Sequence, residues 1–214
     1  MKIVKKIIAV TAITGIVLIV SLTALIIRTQ LVRSRLVAER ESVLEKLNES
    51  LKELGDDNRI EVSSEDYISV NLRSPNINDK ELENILKTLR SIPYVASNIS
   101  CDPRIYFLIE GTSVTLDGIK LIADDETIPL LGIHTGPEIN FSKDSLETFY
   151  KFLEKERICR ISICGDFEQS DIDSMRERYD LIASKNNEKP LRKRTWRYPE
   201  IEVTIGNKKE TIGP

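Results

Sequence analysis

Between Ile105 and Met175 one pattern of apolar and polar positions is written three times. Each copy reads apolar–x–apolar, a short turn, an apolar residue, a polar residue able to cap a helix, and then a helical run. The openings are Ile105-Tyr106-Phe107, Leu131-Gly132-Ile133 and Ile161-Ser162-Ile163, and an earlier copy opens at Ile68-Ser69-Val70. Ile105, Ile133 and Ile161 recur every 28 residues. Alternation predicts a half-buried strand at each opening, and the runs behind them carry helical spacing over Asp79–Arg90, Leu116–Ala123, Lys143–Glu154 and Asp171–Ile182. Asn78, Thr115, Ser142 and Ser170 stand where a helix cap belongs, with Asn78–Glu81 and Ser170–Asp173 spaced as capping boxes.

Leu72–Asn78 and Ile109–Thr115 can be laid on one another without a gap. A strand followed by one helix cannot bury its own apolar face. Stacking such units gives parallel strands on one surface, helices on the other and a continuous core between them. The core expected from this pattern is Val70, Leu72, Ile77, Leu82, Phe107, Ile109, Val114, Ile119, Leu131, Ile133, Ile161 and Ile163. The middle residue of each opening then points to the open sheet surface. Those residues are Ser69, Tyr106, Gly132 and Ser162. Three of the four are small, which leaves room for an extended peptide or glycan, and Tyr106 is the aromatic anchor expected there.

Ile109-Glu110-Gly111-Thr112-Ser113-Val114-Thr115-Leu116-Asp117-Gly118-Ile119 resembles the L-x-x-T-x-I-T-D-x-G-L segment of bacterial leucine-rich repeats. Small membrane-anchored proteins of that type are similar over roughly residues 1–184, and the 28-residue period lies inside the repeat window of roughly 20–29 residues. The resemblance implies an α/β fold, a short leucine-rich-repeat-like solenoid behind an N-terminal transmembrane helix. It implies a binding or scaffold role, and it carries over no catalytic residue and no cofactor.

Ahead of the repeats, after a tail of residues 1–6, Ile7–Ile27 is a 21-residue run without a charge. It is long enough to span a bilayer and longer than the roughly 7–15 residues of a signal-peptide core, so it reads as an uncleaved single-span anchor. Lys2, Lys5 and Lys6 precede it and Arg28, Arg33, Arg35 and Arg40 follow, which nearly balances the positive-inside rule. The shortness of the leading tail favours an extracytoplasmic domain. Residues 28–55 read as an amphipathic stalk, with Val37, Leu44 and Leu51 on one heptad position and Arg40, Leu47 and Leu54 on its partner. The stalk lies against the domain or pairs with a second copy, giving a homodimer through span and stalk. Residues 1–54 lie outside the repeats and are expected to be dispensable for folding.

Charge divides the chain. Residues 1–55 carry +4 (nine basic, five acidic), 56–184 carry −11 (14 basic, 25 acidic) and 185–214 carry +4 (eight basic, four acidic). An acidic repeat domain repels phosphate, which argues against nucleic acid as its main partner. In the tail, Lys189, Arg192, Lys193, Arg194 and Arg197 surround Trp196, a cluster suited to docking on the acidic domain or to anionic groups. A strand is expected at Ile201–Ile205.

Candidate chemistry is sparse. His134 is the only histidine and has no sequence neighbour able to complete a metal or acid–base set. Cys159 and Cys164 are five apart, not the spacing of a metal knuckle, and with Cys101 they make an odd number that implies no disulfide framework. Asp124-Asp125-Glu126 reads as a solvated turn, since it lacks the alternating ligands of a calcium loop. No phosphate-binding glycine motif occurs. The reading is a non-catalytic, membrane-anchored interaction or scaffold module of the cell envelope, without metal or cofactor. Tyr106, Ser162 and Trp196 are its candidate contact residues. A small envelope enzyme or accessory subunit, and a purely structural oligomer, are the alternatives.

Overall fold

The computed structural model describes residues 2–62, 67–92, 104–155, 158–187, 200–206 and 208–212, with the side chains of the first helix described from Ile19 onward. Trp196 and the basic tail around it, and Cys101, lie outside the described residues. The elements are helices α1 (Lys2–Leu54), α2 (Asp79–Arg90), α3 (Leu116–Asp124), α4 (Leu146–Glu154) and α5 (Gln169–Asn187), and strands β1 (Arg59–Val62), β2 (Tyr67–Leu72), β3 (Arg104–Ile109), β4 (Leu130–Thr135), β5 (Asn140–Phe141), β6 (Arg160–Gly165), β7 (Glu200–Ile205) and β8 (Lys208–Ile212).

All eight strands form one mixed sheet, ordered β1-β2-β3-β4-β6-β7-β8 with β5 beside β6. The five central strands are parallel, and β1 and β8 close the two ends antiparallel. The fold is therefore α/β as expected, but the sheet is mixed rather than wholly parallel. Strands follow chain order, and each helix packs on the next from α1 to α5. A right-handed crossover between neighbouring parallel strands places its helix on the same face each time.

The helix-side face is dry. Ile60, Val70, Phe107, Ile133, Ile161, Ile201 and Ile212 stand opposite one another across seven strands, and none exceeds 5% exposure. Leu82, Ile85, Leu86 and Leu89 of α2 lie over this row at the i, i+3, i+4, i+7 spacing of one helical face. Of the expected core residues only Leu131 is misplaced. The register slips between Ile105 and Tyr106, which pair with Leu130 and Gly132, so Leu131 is an unpaired bulge residue and Leu130 takes the inward position.

The stacked turns explain the gapless match between the first two copies. Leu72 pairs with Ile109, Asn78 bridges Ser113, and Ser113 Oγ donates to the Pro75 carbonyl at 2.6 Å. The side chain of Asn78 accepts from the backbone N–H of Lys80 and Glu81, and that of Thr115 from Asp117, so both caps form as expected. Ser170 does not cap. Helix α5 begins two residues earlier than expected, and Asp171 Oδ2 accepts from the Glu168 N–H at 3.0 Å in its place.

The acidic turn after α3 is a joint rather than a solvated loop. Asp125 takes Arg90 Nη2 at 2.6 Å and the hydroxyl and N–H of Thr127 at 2.6 and 2.9 Å, while Lys155 Nζ reaches its carbonyl. Asp124 pairs with Lys151 at 2.6 Å. Burial pushes the Asp125 carboxyl up, but hydrogen bonds from Thr127 and Arg90 outweigh it and hold the group below its ordinary 3.8. Its stabilising contribution is full above that ordinary value and is lost as pH falls through the lower folded one. Asp125→Ala should cost about 2 kcal/mol at neutral pH, allowing for the half-exposed arginine. In urea titrations its gap from wild type should close below pH 3.8.

The last turns of α1 belong to the core. Leu44, Leu47 and Leu51 are 5%, 7% and 1% exposed and join the same apolar cluster as the sheet. Asn48 donates from Nδ2 to the Ile60 carbonyl at 2.7 Å and accepts from the Ile60 N–H at 2.5 Å, so its amide takes the place of a further strand along the edge of β1. The Leu54 carbonyl accepts from Ser74 Oγ and Asn76 Nδ2. Gly55 lets the chain leave so close to β2 that a Cβ there would sit 2.7 Å from Ser74 Oγ. The stalk thus lies against the domain, and the buried leucines of residues 44–54 belong to its core. A fragment starting at residue 43 should unfold cooperatively in urea, whereas Leu51→Ala in it should cost about 2–5 kcal/mol. A fragment starting at residue 57 should aggregate.

Candidate functional site

The sheet face turned away from the helices is half-exposed and polar, and two rows of side chains cross it. Glu61, Ser69, Tyr106, Gly132, Arg160 and Glu200 form one, and Arg59, Asn71, Leu108, His134, Ser162, Glu202 and Thr211 form the next. Both follow from the two-residue period of strands whose alternate residues fill the dry row.

Tyr106 occupies the middle of the first row. A Cβ on Gly132 would lie 2.8 Å from two ring carbons of Tyr106 and from the Arg160 carbonyl. The ring therefore lies across Gly132 and fills the space that the small residue was expected to leave for a ligand. Burial pushes the Tyr106 phenol above its ordinary value, with Arg160 opposing and Tyr67, Glu110 and Glu202 adding to the rise. At neutral pH it is a neutral hydroxyl on a ring with one face packed, bordered by the Arg160 guanidinium.

Ser162 is not beside Tyr106. It stands in the next row between His134 and Glu202 and is only 2% exposed, so it contributes little surface. Charged side chains from the strand ends and from β8 gather around this second row. His134 Nε2 lies 2.8 Å from Glu110 Oε1, and Arg73 Nη2 lies 3.3 Å from Glu110 Oε2. Lys209 Nζ lies 2.7 Å from Glu202 Oε1. The hydrogen bond from Lys209 holds the Glu202 carboxyl below its ordinary value against partial burial, and the Arg160 and His134 charges add to the effect. Cys164 faces the Thr135 carbonyl at 3.7 Å, and burial raises its thiol. It is a half-buried thiol packed against the backbone of β4.

His134 thus has a partner that sequence distance concealed, from 24 residues upstream on the adjoining strand. Glu110 follows the last residue of β3, and His134 and Ser162 pair across β4 and β6, but no hydrogen bond joins Ser162 to His134 among the described residues. Around His134 the carboxylates Glu110 and Glu202 are both tied to basic side chains. Such a surface presents polar and charged groups together with the rings of Tyr106 and Tyr67. Among the described residues no group of His, Cys, Asp and Glu is arranged to hold a metal ion. Arg73, Glu110, Arg160, Glu202 and Lys209 were not singled out by the sequence. Only the pairing of strands, which brings Glu110 to His134 from 24 residues away and Lys209 to Glu202 across a hairpin, identifies them.

The fold and this surface define an α/β protein with a mixed sheet, helices layered on one side and a polar, open face on the other. No family model, curated protein or solved structure matches the chain.

Gly132→Ala should push the Tyr106 ring off its seat and cost about 1–3 kcal/mol. In a double-mutant cycle with Tyr106→Ala, urea denaturation should show a coupling of about 0.5 kcal/mol or more, because the ring clash is absent once the ring is removed. Strict additivity would place the ring elsewhere.

Proposed function

We propose that this chain is a membrane-anchored interaction module whose open sheet face is a protein-binding surface on a short, leucine-rich-repeat-like solenoid. The observation that carries the reading is the open face itself, where Tyr106 and Leu108 stand half-exposed among paired charges while the opposite face is dry. Chain-order strands and helices packed each on the next support the solenoid.

The anchor rests on α1. Among the described residues no helix is long and apolar enough to cross a membrane. The side chains of residues 1–18, more than half of the charge-free run Ile7–Ile27, lie outside them. Of the described part, Ile19, Val20, Leu22, Leu25, Ile26 and Ile27 are each more than half exposed. So continuous an apolar surface needs a cover. Thr23 and Thr29 donate their hydroxyls to the carbonyls four residues back, which satisfies them inside the helix as an apolar surrounding requires. An extracytoplasmic domain remains part of the proposal. Pairing of two copies is confined to the span, because Leu44, Leu47 and Leu51 serve the domain's own core. The Glu110–His134 pair is the one observation favouring the enzyme alternative.

Two measurements test the reading. Full-length protein should resist alkaline carbonate extraction from membranes, whereas the fragment from residue 43 should be soluble. That fragment should capture an envelope component, and Tyr106→Ala should weaken capture by about 1–3 kcal/mol without lowering the melting temperature. Capture unaffected by Tyr106→Ala, or abolished only by His134→Ala, would move the function away from this surface.

A further inference from the structure

We infer that the membrane-side turns of α1 carry a binding stripe for the headgroups of anionic phospholipids, an inference that rests on the anchor reading. Arg28, Leu31, Val32 and Arg35 are spaced i, i+3, i+4 and i+7 and share one side of the helix. All four are exposed, Leu31 and Val32 at 66% and 53%, whereas Arg33, Leu36, Val37 and Arg40 on the other side are half-buried. The stripe therefore looks away from the rest of the protein. Neither Arg28 nor Arg35 makes an ion pair among the described residues.

Position and direction fit the interface between lipid tails and water. The stripe starts at the residue after Ile27, where the apolar run ends, and extends about 10 Å along the axis at 1.5 Å per residue. That is comparable to one headgroup layer. Helix side chains lean toward the N-terminus, which here is toward the bilayer, so Arg35 reaches back to the level of the phosphates. Leu31 and Val32 lie between the two guanidiniums, at the depth where acyl chains meet glycerol. Arginine's planar fork matches a phosphate's paired oxygens. A second copy of the chain is a poor occupant, because a parallel pairing on this stripe would bring Arg28 and Arg35 against themselves.

The test uses full-length protein reconstituted in vesicles of equal phosphatidylcholine and phosphatidylglycerol, extracted in mild detergent, with retained lipid measured by mass spectrometry. Wild type should retain phosphatidylglycerol in preference, and the preference should fall on the order of fivefold for each of Arg28→Gln and Arg35→Gln. Arg59→Gln, an exposed arginine in the sheet domain, should leave it unchanged. Equal retention of both lipids by carbonate-resistant wild type would overturn the stripe and leave the anchor standing. Equal loss of preference in Arg59→Gln would overturn it by reducing the effect to net charge. Release of wild type by carbonate would overturn the anchor reading and the stripe with it.

Discussion

One apolar row crosses the whole sheet, from Ile60 through Val70, Phe107, Ile133, Ile161 and Ile201 to Ile212, and the rest of the molecule is arranged to keep it dry. Burial of one such side chain stabilises by roughly 1.5–3 kcal/mol, and the row is continuous only if every strand keeps its register. That requirement places the helices on one face in chain order. It also forces the alternate residues onto the opposite face, where polar side chains must find partners across strands. The ties of Glu110 to His134 and Arg73, and of Glu202 to Lys209, are the consequence.

Strand and helix positions were legible because each was written locally, in alternation, helical spacing and a cap. Helix α2 matches its expected bounds, and the caps at Asn78 and Thr115 are made as the sequence implies. Register was not legible. The 28-residue spacing aligns Ile105 with Ile133 and Ile161, yet Phe107 is the true partner of Ile133, because β3 and β4 are offset by 25 residues at Ile105–Leu130 and, beyond the bulge at Leu131, by 26. Gly132 stands beside Tyr106 as expected, but its own partner on β6 is Arg160 rather than Ser162, because Ile133 pairs with Ile161. The candidate surface therefore contained the right aromatic with Ser69 and Gly132 beside it, and had Ser162 where Arg160 stands. A bulge of this kind leaves no mark in a leucine-glycine-isoleucine run, since either of two adjacent leucines can face inward.

The stalk packs against the domain, the first of the two placements the sequence left open, and the sequence could not choose between them for a related reason. Its heptad of Leu44, Leu47 and Leu51 is the same whether the partner is a second helix or the edge of a sheet. Asn48 decides between them, because its amide bonds both backbone groups of Ile60, as a strand would. With the edge of β1 closed in this way, α1 becomes a single helix from Lys2 to Leu54 that runs unbroken into the core. From Ile27 to the first buried contact at Leu44 is 17 residues, about 25 Å of helix. In the proposed setting that length holds the open face clear of the membrane at a fixed distance.

The central claim is that the end of α1 is part of the folded core, and amide hydrogen exchange of the full-length protein tests it most directly. Amides of residues 47–54 should exchange only by the same cooperative opening that exposes β2 and β3, with matching protection. Exchange there as fast as in a free helix, with the strands still protected, would contradict the account.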